Sequence, residues 1–431
     1  MLKRFPPKVS SPAELPALQL AGLKWSVRHA FDNAPFYRER LTQAGITPDD
    51  IRSLDDLRRL PFITADDLAA GYPFALRAAP FADLVRIHAS SGTTGKRKIL
   101  CYTRKDLDDW QEMFARCFEL AGLIREDRVQ IAVGYGLWTA GVGFQQACER
   151  FGALAIPVGP GNLEIHITFL QDLQSTVFCC TASMGLLLAE EVQRKGLKHT
   201  LNLKKIIMGA ERASSAMLAT MRECLGVEEI YDITGLTEVY GPGTGLSCRA
   251  NDGIHYWADH YILEVIDPET LEPVKPGEIG EMVYTTLAKE GAPLLRYRSR
   301  DLTRLIEGDC PCGCWLPRHD RILGRSDDVV IFRGVNIYPG QLDEVLHQVQ
   351  GIGSEYQVLF DHGPDGRDFM QIRVERAGNC QALPDDGVAK QIAAGIKHTL
   401  LVSPVVELLD YGSLPRSEKK TKRIFDNRRF E

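Results

Sequence analysis

The first part of the chain, up to about residue 85, has apolar residues spaced three to four apart, as in LPALQLAGLKWSVRHAF. This spacing predicts amphipathic helices, because residues three and four apart lie on one face of a helix. The segments SLDD and TADD also resemble capping boxes, in which a hydroxyl and a carboxylate bind the first free backbone N–H groups of a helix. The pattern therefore predicts a helical N-terminal region.

From about residue 84 the pattern changes to short apolar runs separated by longer amphipathic stretches. The runs that predict buried strands are LVRIHA, RVQIAVG, ALAIPVG, STVFCCTA, KKIIMGA and VEEIYDI. Helical patterns lie between most of them, for example over 103–122. Strands that alternate with helices are typical of a largely parallel α/β sheet, which binds its ligands at the carboxyl ends of the strands.

Two later regions have other patterns. Residues 254–286 contain two apolar segments around the turn-rich PETLEPVKPGEIG, which predicts an antiparallel hairpin or small barrel. A third region begins near GRSDD at 324–328, with a strand, a helix from about residue 340 and a basic tail. We therefore expect an α/β protein. A large domain over 1–324 has mixed, largely parallel sheets and a small antiparallel β subdomain, and a small α+β domain covers 325–431.

Composition narrows the class of protein. A chain of 431 residues with 44% hydrophobic and 25% charged residues is typical of a soluble globular protein with two domains. The formal net charge of −6 disfavours a nucleic-acid or membrane-surface binder. Apolar runs stay shorter than the ~18–20 residues that span a bilayer. The N-terminus continues into Pro-rich sequence instead of the apolar core of a secretory signal. We expect a cytoplasmic enzyme without nucleic-acid or membrane partners.

Eleven cysteines, an odd number scattered along the chain, fit a reducing compartment better than a disulfide framework. Most lie in apolar segments and are interpreted as core residues. The exception is CPCGC at 310–314, which can combine with an upstream Cys and His in CRANDGIH to form a closed tetrahedral Zn²⁺ site. The proposed ligands are Cys248, His255, Cys310 and Cys312. Cys314 or His319 can replace one of them, and reduced thiols in a surface turn are the alternative.

A turn rich in Gly, Ser and Thr, HASSGTTGKRKIL at 88–100, lies between two predicted strands. A Walker A loop needs four residues between its glycines, whereas Gly92 and Gly95 have only two between them. Hydroxyls and glycine N–H groups nevertheless supply donors without steric bulk, and Lys96 adds positive charge. The segment is therefore either a phosphate-binding loop of another kind or a plain hairpin turn.

Further candidate groups follow in order. In YDITGLTE, Thr237 and Glu238 lie at a predicted strand end, where a hydroxyl can bond phosphate and a carboxylate can hold Mg²⁺. In RYRSRDLTRL, Asp301 lies between basic residues and is either ion-paired or an acceptor for a sugar diol. The last two segments are GRSDDVVIFRGVNIYPGQLDEVL and SLPRSEKKTKR.

Together these motifs resemble those of the adenylate-forming superfamily of acyl-CoA synthetases, and within it the phenylacetate–CoA ligase subfamily. The resemblance starts at about residue 15 and rests on HASSGTTGK, GYGLWTAG, GLTEVYGPG, RYRSRDL, GRSDDVVIFRGVNIYPGQLDE and LPRSEKKTKR. It implies that a carboxylate attacks the α-phosphorus of ATP, giving an acyl-adenylate and pyrophosphate. The C-terminal domain then rotates, and CoA thiolate attacks the activated carbonyl and releases AMP. Such an enzyme mainly neutralises phosphate charge and aligns the reactants.

The resemblance implies roles for individual residues. The ATP and AMP contacts would be Ser90, Ser91, Gly92, Thr93, Thr94, Gly95, Lys96, Gly209, Ala210, Glu211, Asp232, Asp301 and Arg325. Of these, Gly209, Ala210, Glu211 and Asp232 would contact adenine. Asp301 and Arg325 would lie at the ribose. The catalytic groups would be Thr237 on phosphate, Glu238 on Mg²⁺, and Lys420 on the adenylation transition state.

Other implied roles concern the acid, CoA and domain movement. The acyl pocket would draw on Tyr135, Gly136, Trp138 and Thr139. Its two aromatic residues suit an aryl or arylalkyl acid, although they can also be core residues. Asp327 matches the hinge and Gly334 the wall of the pantetheine tunnel. The chain departs from the family pattern in two places, with Thr234 where a Tyr commonly stacks on adenine and Lys419-Lys420 where Gly-Lys is usual.

The expected function is therefore an ATP-, Mg²⁺- and CoA-dependent ligase that makes an aryl- or arylacetyl-CoA and releases AMP and pyrophosphate. A structural Zn²⁺ is expected in addition to these cofactors, and the resemblance to the subfamily suggests a homodimer. Two alternatives stay open. One is an adenylating enzyme that passes the acyl group to a carrier-protein thiol. The other is a non-catalytic acyl-nucleotide-binding protein.

Overall fold

The computed structural model describes residues 2–90, 97–137, 139–213, 215–328, 330–333, 335–346, 348–362, 368–377, 385–415 and 423–428. The chain divides into two compact units. The first contains Met1–Cys180, Leu201–Gly209 and Glu228–Ile322, and the second contains Thr181–Thr200, Ala210–Val227 and Leu323–Glu431. The candidate residues outside the described part are Ser91, Gly92, Thr93, Thr94, Gly95, Lys96, Trp138, Gly334 and Lys420.

The beginning of the first unit is helical, as the spacing of apolar residues predicts. Its helices are α1 (Leu15–Asn33), α2 (Pro35–Gln43) and α3 (Ala65–Ala70), with short 3₁₀ helices at Pro12–Glu14, Pro48–Asp50, Leu54–Arg59 and Phe81–Asp83. Both predicted capping boxes are present. Ser53 and Asp56 form one at a 3₁₀ helix, and Thr64 and Asp67 form the other at α3.

In the rest of the first unit, strands alternate with helices from residue 99 as far as residue 181, and the described strands from 229 to 319 then follow one another without a helix between them. The strands are β1 (Leu84–Ala89), β2 (Ile99–Thr103), β3 (Arg128–Ile131), β4 (Leu154–Ile156), β5 (Val177–Thr181), β6 (Lys205–Gly209), β7 (Glu229–Leu236), β8 (Gly241–Ser247), β9 (Ile254–Tyr256), β10 (Tyr261–Ile266), β11 (Gly280–Thr286), β12 (Tyr297–Thr303), β13 (Leu305–Ile306) and β14 (Arg318–His319). The helices are α4 (Arg104–Leu120), α5 (Thr139–Phe151) and α6 (Leu163–Asp172).

The largest sheet has the strand order β13-β14-β9-β8-β7-β6-β5-β3-β4. The pairs β4–β3, β3–β5 and β6–β7 are parallel, whereas the pairs from β7 to β13 are antiparallel. Five of the six apolar runs thus form the predicted parallel part. A second sheet contains the predicted hairpin β10–β11, and β12 pairs antiparallel with β11. The mixed α/β architecture is confirmed, with the described parallel strand pairs of this unit in one half of the largest sheet.

The run LVRIHA was predicted as a buried strand of the parallel sheet, and that prediction is wrong. It forms β1, which pairs antiparallel with β2 in a separate two-stranded sheet. Val85 and Ile87 are 49% and 39% exposed, so one face of β1 meets solvent. A short apolar run alone does not distinguish a buried strand from a half-exposed one.

Helix α4 confirms the helix predicted over 103–122. Its first turn is capped by Thr103, whose hydroxyl accepts from the Asp106 N–H at 3.2 Å. Its buried face carries the aromatic residues Trp110, Phe114 and Phe118, all fully buried in the core of the first unit. This packing fixes α4, and with it the β2 strand that leads into it.

The second unit has its own core and sheet, which is typical of a separate domain. Its helices are α7 (Ala182–Lys195), α8 (Ser215–Leu225), α9 (Pro339–Leu346) and α10 (Asp385–Leu400), with a 3₁₀ helix at Lys198–Thr200. Its strands are β15 (Gly324–Arg325), β16 (Val330–Phe332), β17 (Val335–Ile337), β18 (Ile352–His362), β19 (Asp368–Arg376), β20 (Val405–Leu409) and β21 (Ile424–Asp426).

One sheet of this unit has the order β20-β19-β18-β21, and β16 pairs antiparallel with β17. Its core includes Phe332, Val358, Phe360, Ile372 and Ile392, all fully buried. The strand predicted after GRSDD and the helix predicted from about residue 340 are confirmed as β16 and α9. Within the described residues, every helix is too short or too polar to cross a membrane.

Candidate active site

Thr237 and Glu238 follow β7 directly, at the carboxyl end of a strand that pairs in parallel with β6. This is the edge at which α/β sheets bind ligands. Glu238 is only 5% exposed. Its Oε1 atom lies 2.6 Å from Lys98 Nζ and accepts a hydrogen bond of 3.1 Å from the Tyr297 hydroxyl. The carboxylate is therefore oriented from two sides.

The backbone of the 237–240 turn is bound by two buried side chains. The Tyr102 hydroxyl shares its one hydrogen between the carbonyls of Thr237 and Tyr240, at 3.0 and 3.1 Å. Lys289 Nζ donates to the carbonyl of Glu238 at 2.9 Å. Burial lowers the pKa of Lys289 to about 8. Neither side chain is recognisable as part of the site from the sequence, since their surroundings, CYTRK and LAKEG, do not differ from an ordinary strand end or loop.

Asp301 lies at an irregularity of the β11–β12 ladder. Around residues 299–301 the pairing advances by two residues on β11 but by four on β12. Arg300 has a φ of 71°, a left-handed conformation that is uncommon for a residue other than glycine. Such bulges redirect side chains. The irregularity therefore sets the direction of Asp301, which is 9% exposed.

A fully buried carboxylate, Glu281, binds two of the three arginines of RYRSRDL, Arg298 and Arg300. Arg298 donates from Nε at 2.8 Å and from Nη2 at 2.9 Å, which makes a bidentate pair. Arg300 Nη1 lies 3.5 Å from the same carboxylate. These two arginines are thus neutralised by a residue of the neighbouring strand, which the sequence did not single out. Glu281 fixes the conformation next to Asp301.

The Gly-, Ser- and Thr-rich segment is described only at its two ends. The Ser90 N–H donates to the Lys98 carbonyl at 3.0 Å, and the Lys98 N–H donates to Ser90 Oγ at 3.1 Å. Residues 90 and 98 therefore close a connection between the antiparallel strands β1 and β2. The segment thus leads from one strand to another, as its position between two predicted strands indicates. Lys98 lies just beyond the motif HASSGTTGK, and its ammonium group lies 2.6 Å from Glu238 Oε1.

The candidate acyl-pocket residues Tyr135 and Gly136 lie in the connection from β3 to α5, and Thr139 begins α5. The Tyr135 ring packs closely on Gly141, where a Cβ atom would lie 2.5 Å from ring atom Cδ2. Burial raises the pKa of Tyr135 to about 12. Gly136 has a φ of 87°, which favours glycine at this turn. A half-buried aromatic ring thus lies beside a tight turn after β3.

Two of the candidate adenine residues belong to the first unit. Gly209 ends β6, where a Cβ atom would lie 2.5 Å from the Ile233 carbonyl, so the close approach of β6 and β7 requires glycine. Asp232 lies in β7, and its N–H donates to Ser247 Oγ at 2.8 Å. Thr234, which replaces the expected Tyr, accepts at its carbonyl from Thr244 Oγ1 at 3.3 Å.

The other candidate nucleotide residues belong to the second unit. Ala210 has a φ of 67°, and Glu211 accepts from the N–H and hydroxyl of Ser183 at 2.9 and 2.6 Å. Arg325 forms a bidentate pair with Asp327, with both N···O distances at 2.8 Å. The arginine proposed for the ribose and the residue proposed for the hinge are therefore bonded to each other.

Four potential metal ligands converge beside β8 and β9. The ligand atoms of Cys248, His255, Cys310 and Cys312 all lie within 4.8 Å of one another. Cys312 Sγ lies 3.3 Å from His255 Nε2. His255 Nδ1–H donates to the Leu316 carbonyl at 2.7 Å, which leaves Nε2 as the ligand atom, as is usual for a metal-bound histidine. In the described part of the chain, neither Cys314 nor His319 belongs to this group.

Comparison with known proteins shows the family of this chain. The model of the "AMP-binding enzyme" family matches residues 50–287, and that of the "AMP-binding enzyme C-terminal domain" matches residues 334–428. The chain is 40% identical to phenylacetate-coenzyme A ligase from Escherichia coli (strain K12), over 99% of this chain and 98% of that protein. The chain belongs to the phenylacetate–CoA ligase family of AMP-binding enzymes.

Further relatives agree with this family. A phenylacetate-coenzyme A ligase from Pseudomonas putida is 39% identical, with 95% and 93% of the two chains covered. The crystal structure of a 2-hydroxyisobutyryl-CoA ligase in complex with 2-HIB-AMP is 28% identical, with a TM-score of 0.90 over 99% of this chain and 92% of that one. The expected membership of the adenylate-forming superfamily is confirmed. As a member of the phenylacetate–CoA ligase family, the chain is an AMP-forming acid–thiol ligase.

Proposed function

We propose that this enzyme activates an aryl or arylacetic acid, with phenylacetate as the first candidate, and transfers the acyl group to CoA. The observation that carries the proposal is the 39–40% identity, over nearly the whole chain, to four phenylacetate–CoA ligases. The half-buried Tyr135 ring supports an aromatic acid, because a flat apolar surface suits an aryl group. ATP would supply the adenylate, and CoA would accept the acyl group.

The ATP phosphates are proposed to bind near Thr237 and the loop that Ser90 and Lys98 close. The Glu238 carboxylate is a hard oxygen donor of the kind that Mg²⁺ prefers, so this residue fits the metal. When bound, Mg²⁺ would neutralise negative charge on the phosphates. Lys98 Nζ, at 2.6 Å from Glu238, would add a second positive charge to the same place. Thr237 would orient a phosphate oxygen.

Asp301 is proposed to accept hydrogen bonds from the ribose hydroxyls, since the bulge next to it fixes its direction. The adenine contacts Gly209, Ala210, Glu211 and Asp232 and the ribose contact Arg325 are proposed on the order of the motifs. Motif order is also the basis for three further roles. Lys420 is proposed to act in adenylation, Gly334 to contact CoA, and Asp327 to be the hinge between domains over 1–324 and 325–431. A homodimer and a cytoplasmic location stay predictions.

A structural Zn²⁺ is proposed at Cys248, His255, Cys310 and Cys312. Three sulfur ligands and one imidazole nitrogen form the closed donor set of a structural site, with no place for a substrate. The bond from His255 Nδ1 to the Leu316 carbonyl fits such a site, because it orients the ring. Bound there, the metal would tie β9 to the segment 310–316.

Pyrophosphate release with a panel of carboxylates tests the proposed function. We expect phenylacetate to give the highest kcat/KM, and acids that differ by one methylene to fall about 10- to 200-fold below it. Lys420→Ala is expected to slow release by about 100-fold or more, whereas Lys419→Ala stays near wild type. No release with any aryl acid would contradict the substrate. A wild-type rate in Lys420→Ala would contradict the role of Lys420.

A further inference from the structure

The segment 287–296, between β11 and β12, carries a lysine that the reaction described above does not use. Lys289 is fully buried. Its Nζ donates to the Glu238 carbonyl at 2.9 Å and lies 4.5 Å from the ring centre of Tyr102 and 5.1 Å from that of Tyr240. Burying an ammonium group is costly unless nearby groups compensate for lost hydration. Here one carbonyl and two aromatic faces do so.

The lysine is attached to a rigid part of the backbone. The buried Asp106 carboxylate accepts from the Glu290 N–H at 2.7 Å and the Gly291 N–H at 2.8 Å. A Cβ atom at Gly291 would lie 2.4 Å from the Cys101 carbonyl, so the segment packs closely on β2. Asp106 also belongs to the first turn of α4. Through Asp106, helix α4 therefore holds the backbone next to Lys289, whose side chain extends to the Glu238 carbonyl.

Tyr102 acts on the same turn. Its hydroxyl lies 3.0 Å from the Thr237 carbonyl and 3.1 Å from the Tyr240 carbonyl. Together with Lys289, it binds three of the four carbonyls of the 237–240 turn. A turn bound in this way cannot rotate its peptide planes without losing a buried hydrogen bond. The side chains of Thr237 and Glu238 thereby keep one direction.

We propose that Lys289 and Tyr102 are positioning residues that hold the 237–240 turn so that Thr237 and Glu238 are preorganised for Mg²⁺–ATP. This proposal rests on the proposed function, because it assigns Thr237 and Glu238 to the phosphates and the metal. Lys289 and Tyr102 donate to backbone carbonyls of the turn, and neither is proposed to contact the substrates. Their removal therefore weakens binding of Mg²⁺–ATP and leaves binding of the carboxylic acid unchanged.

The test uses Lys289→Met, which keeps the length of the side chain but removes the donor, and Tyr102→Phe, which keeps the ring. Calorimetric titration with Mg²⁺–ATP, without acid, gives the Kd. Pyrophosphate release gives the KM of each substrate, and thermal unfolding gives Tm. Lys198→Met is the matched control, because Lys198 donates to the Glu223 carbonyl at 2.6 Å in the second unit. We expect it to behave as wild type.

For Lys289→Met we expect the Kd for Mg²⁺–ATP to rise about 10-fold or more, since the lost hydrogen bond involves a charged group. For Tyr102→Phe we expect a rise of about 3- to 10-fold, with the KM of the acid within about 2-fold. The double variant should weaken binding by less than the product of the single effects, because both residues act on one turn. If Lys289→Met does not fold, Tyr102→Phe decides alone.

A lower Tm with an unchanged Kd for Mg²⁺–ATP would overturn the positioning role and leave a purely structural one. Equal increases in the KM of ATP and of the acid would also overturn it. The titration separates this proposal from the proposed function. If wild type binds Mg²⁺–ATP and both variants bind it equally well, only the positioning role fails. If wild type does not bind Mg²⁺–ATP, the proposed function itself fails.

Discussion

Glu238→Gln is expected to lower the rate of carboxylate-dependent pyrophosphate release by about 100-fold or more. The amide keeps the shape of the side chain and still accepts from the Tyr297 hydroxyl, but it has no charge for Mg²⁺. It also leaves Lys98, now 2.6 Å from the carboxylate, without its anionic partner. Measuring the rate across a Mg²⁺ titration checks the prediction, and the variant should need more Mg²⁺ for half-maximal activity.

Two controls separate the charge of Glu238 from its packing. Tyr297→Phe removes one hydrogen bond to Oε1 but leaves the charge, so the rate should fall by no more than about 10-fold. Glu229→Gln changes a carboxylate at the opposite end of the same strand, where it pairs with Lys205 at 2.7 Å, and should leave the rate within about 2-fold. A rate near wild type in Glu238→Gln would show that this carboxylate does not hold the metal.

Cys310→Ser is expected to release the metal and to lower Tm by about 5 °C or more. Structural zinc contributes directly to the free energy of folding, and a loss of even ~4 kcal/mol shifts Tm by several degrees in a domain of this size. Elemental analysis of wild type purified without added zinc should give about one Zn²⁺ per chain. The variant should contain far less.

Cys314→Ser is the matched control for the metal site. Cys314 lies two residues beyond Cys312 and is buried, yet it lies outside the group of four ligand atoms among the described residues. Its variant should therefore keep the metal. Wild-type protein that contains no metal, and whose Tm is the same with and without a strong chelator, would contradict the zinc proposal.

The sequence predicted most of the architecture, because apolar periodicity is local. The alternation of runs identified β3 to β7 and α4, and two capping boxes were recognised from three-residue spacings. The exposure of β1 was not predictable, since it depends on which strand pairs with it. Likewise the left-handed Arg300 beside Asp301 arises from the pairing of β11 with β12, which no local pattern encodes.

Only those residues of the candidate site that belong to recognisable motifs were predictable from the sequence. Thr237, Glu238 and Asp301 come from motif order along the chain. Lys289 lies 51 residues from Glu238, and Tyr102 lies 135 residues from Thr237. Contacts over such separations are set by packing of the whole unit. For this reason the sequence identified the groups proposed to meet the ligand but missed those that hold them.

The most direct test of the central claim is the product formed from phenylacetate, Mg²⁺–ATP and CoA, separated by chromatography and identified by mass. We expect phenylacetyl-CoA and AMP in equal amounts, with one pyrophosphate for each, and slow release of AMP when CoA is left out. Formation of AMP and pyrophosphate without any CoA thioester, or no phenylacetate-dependent product, would contradict it.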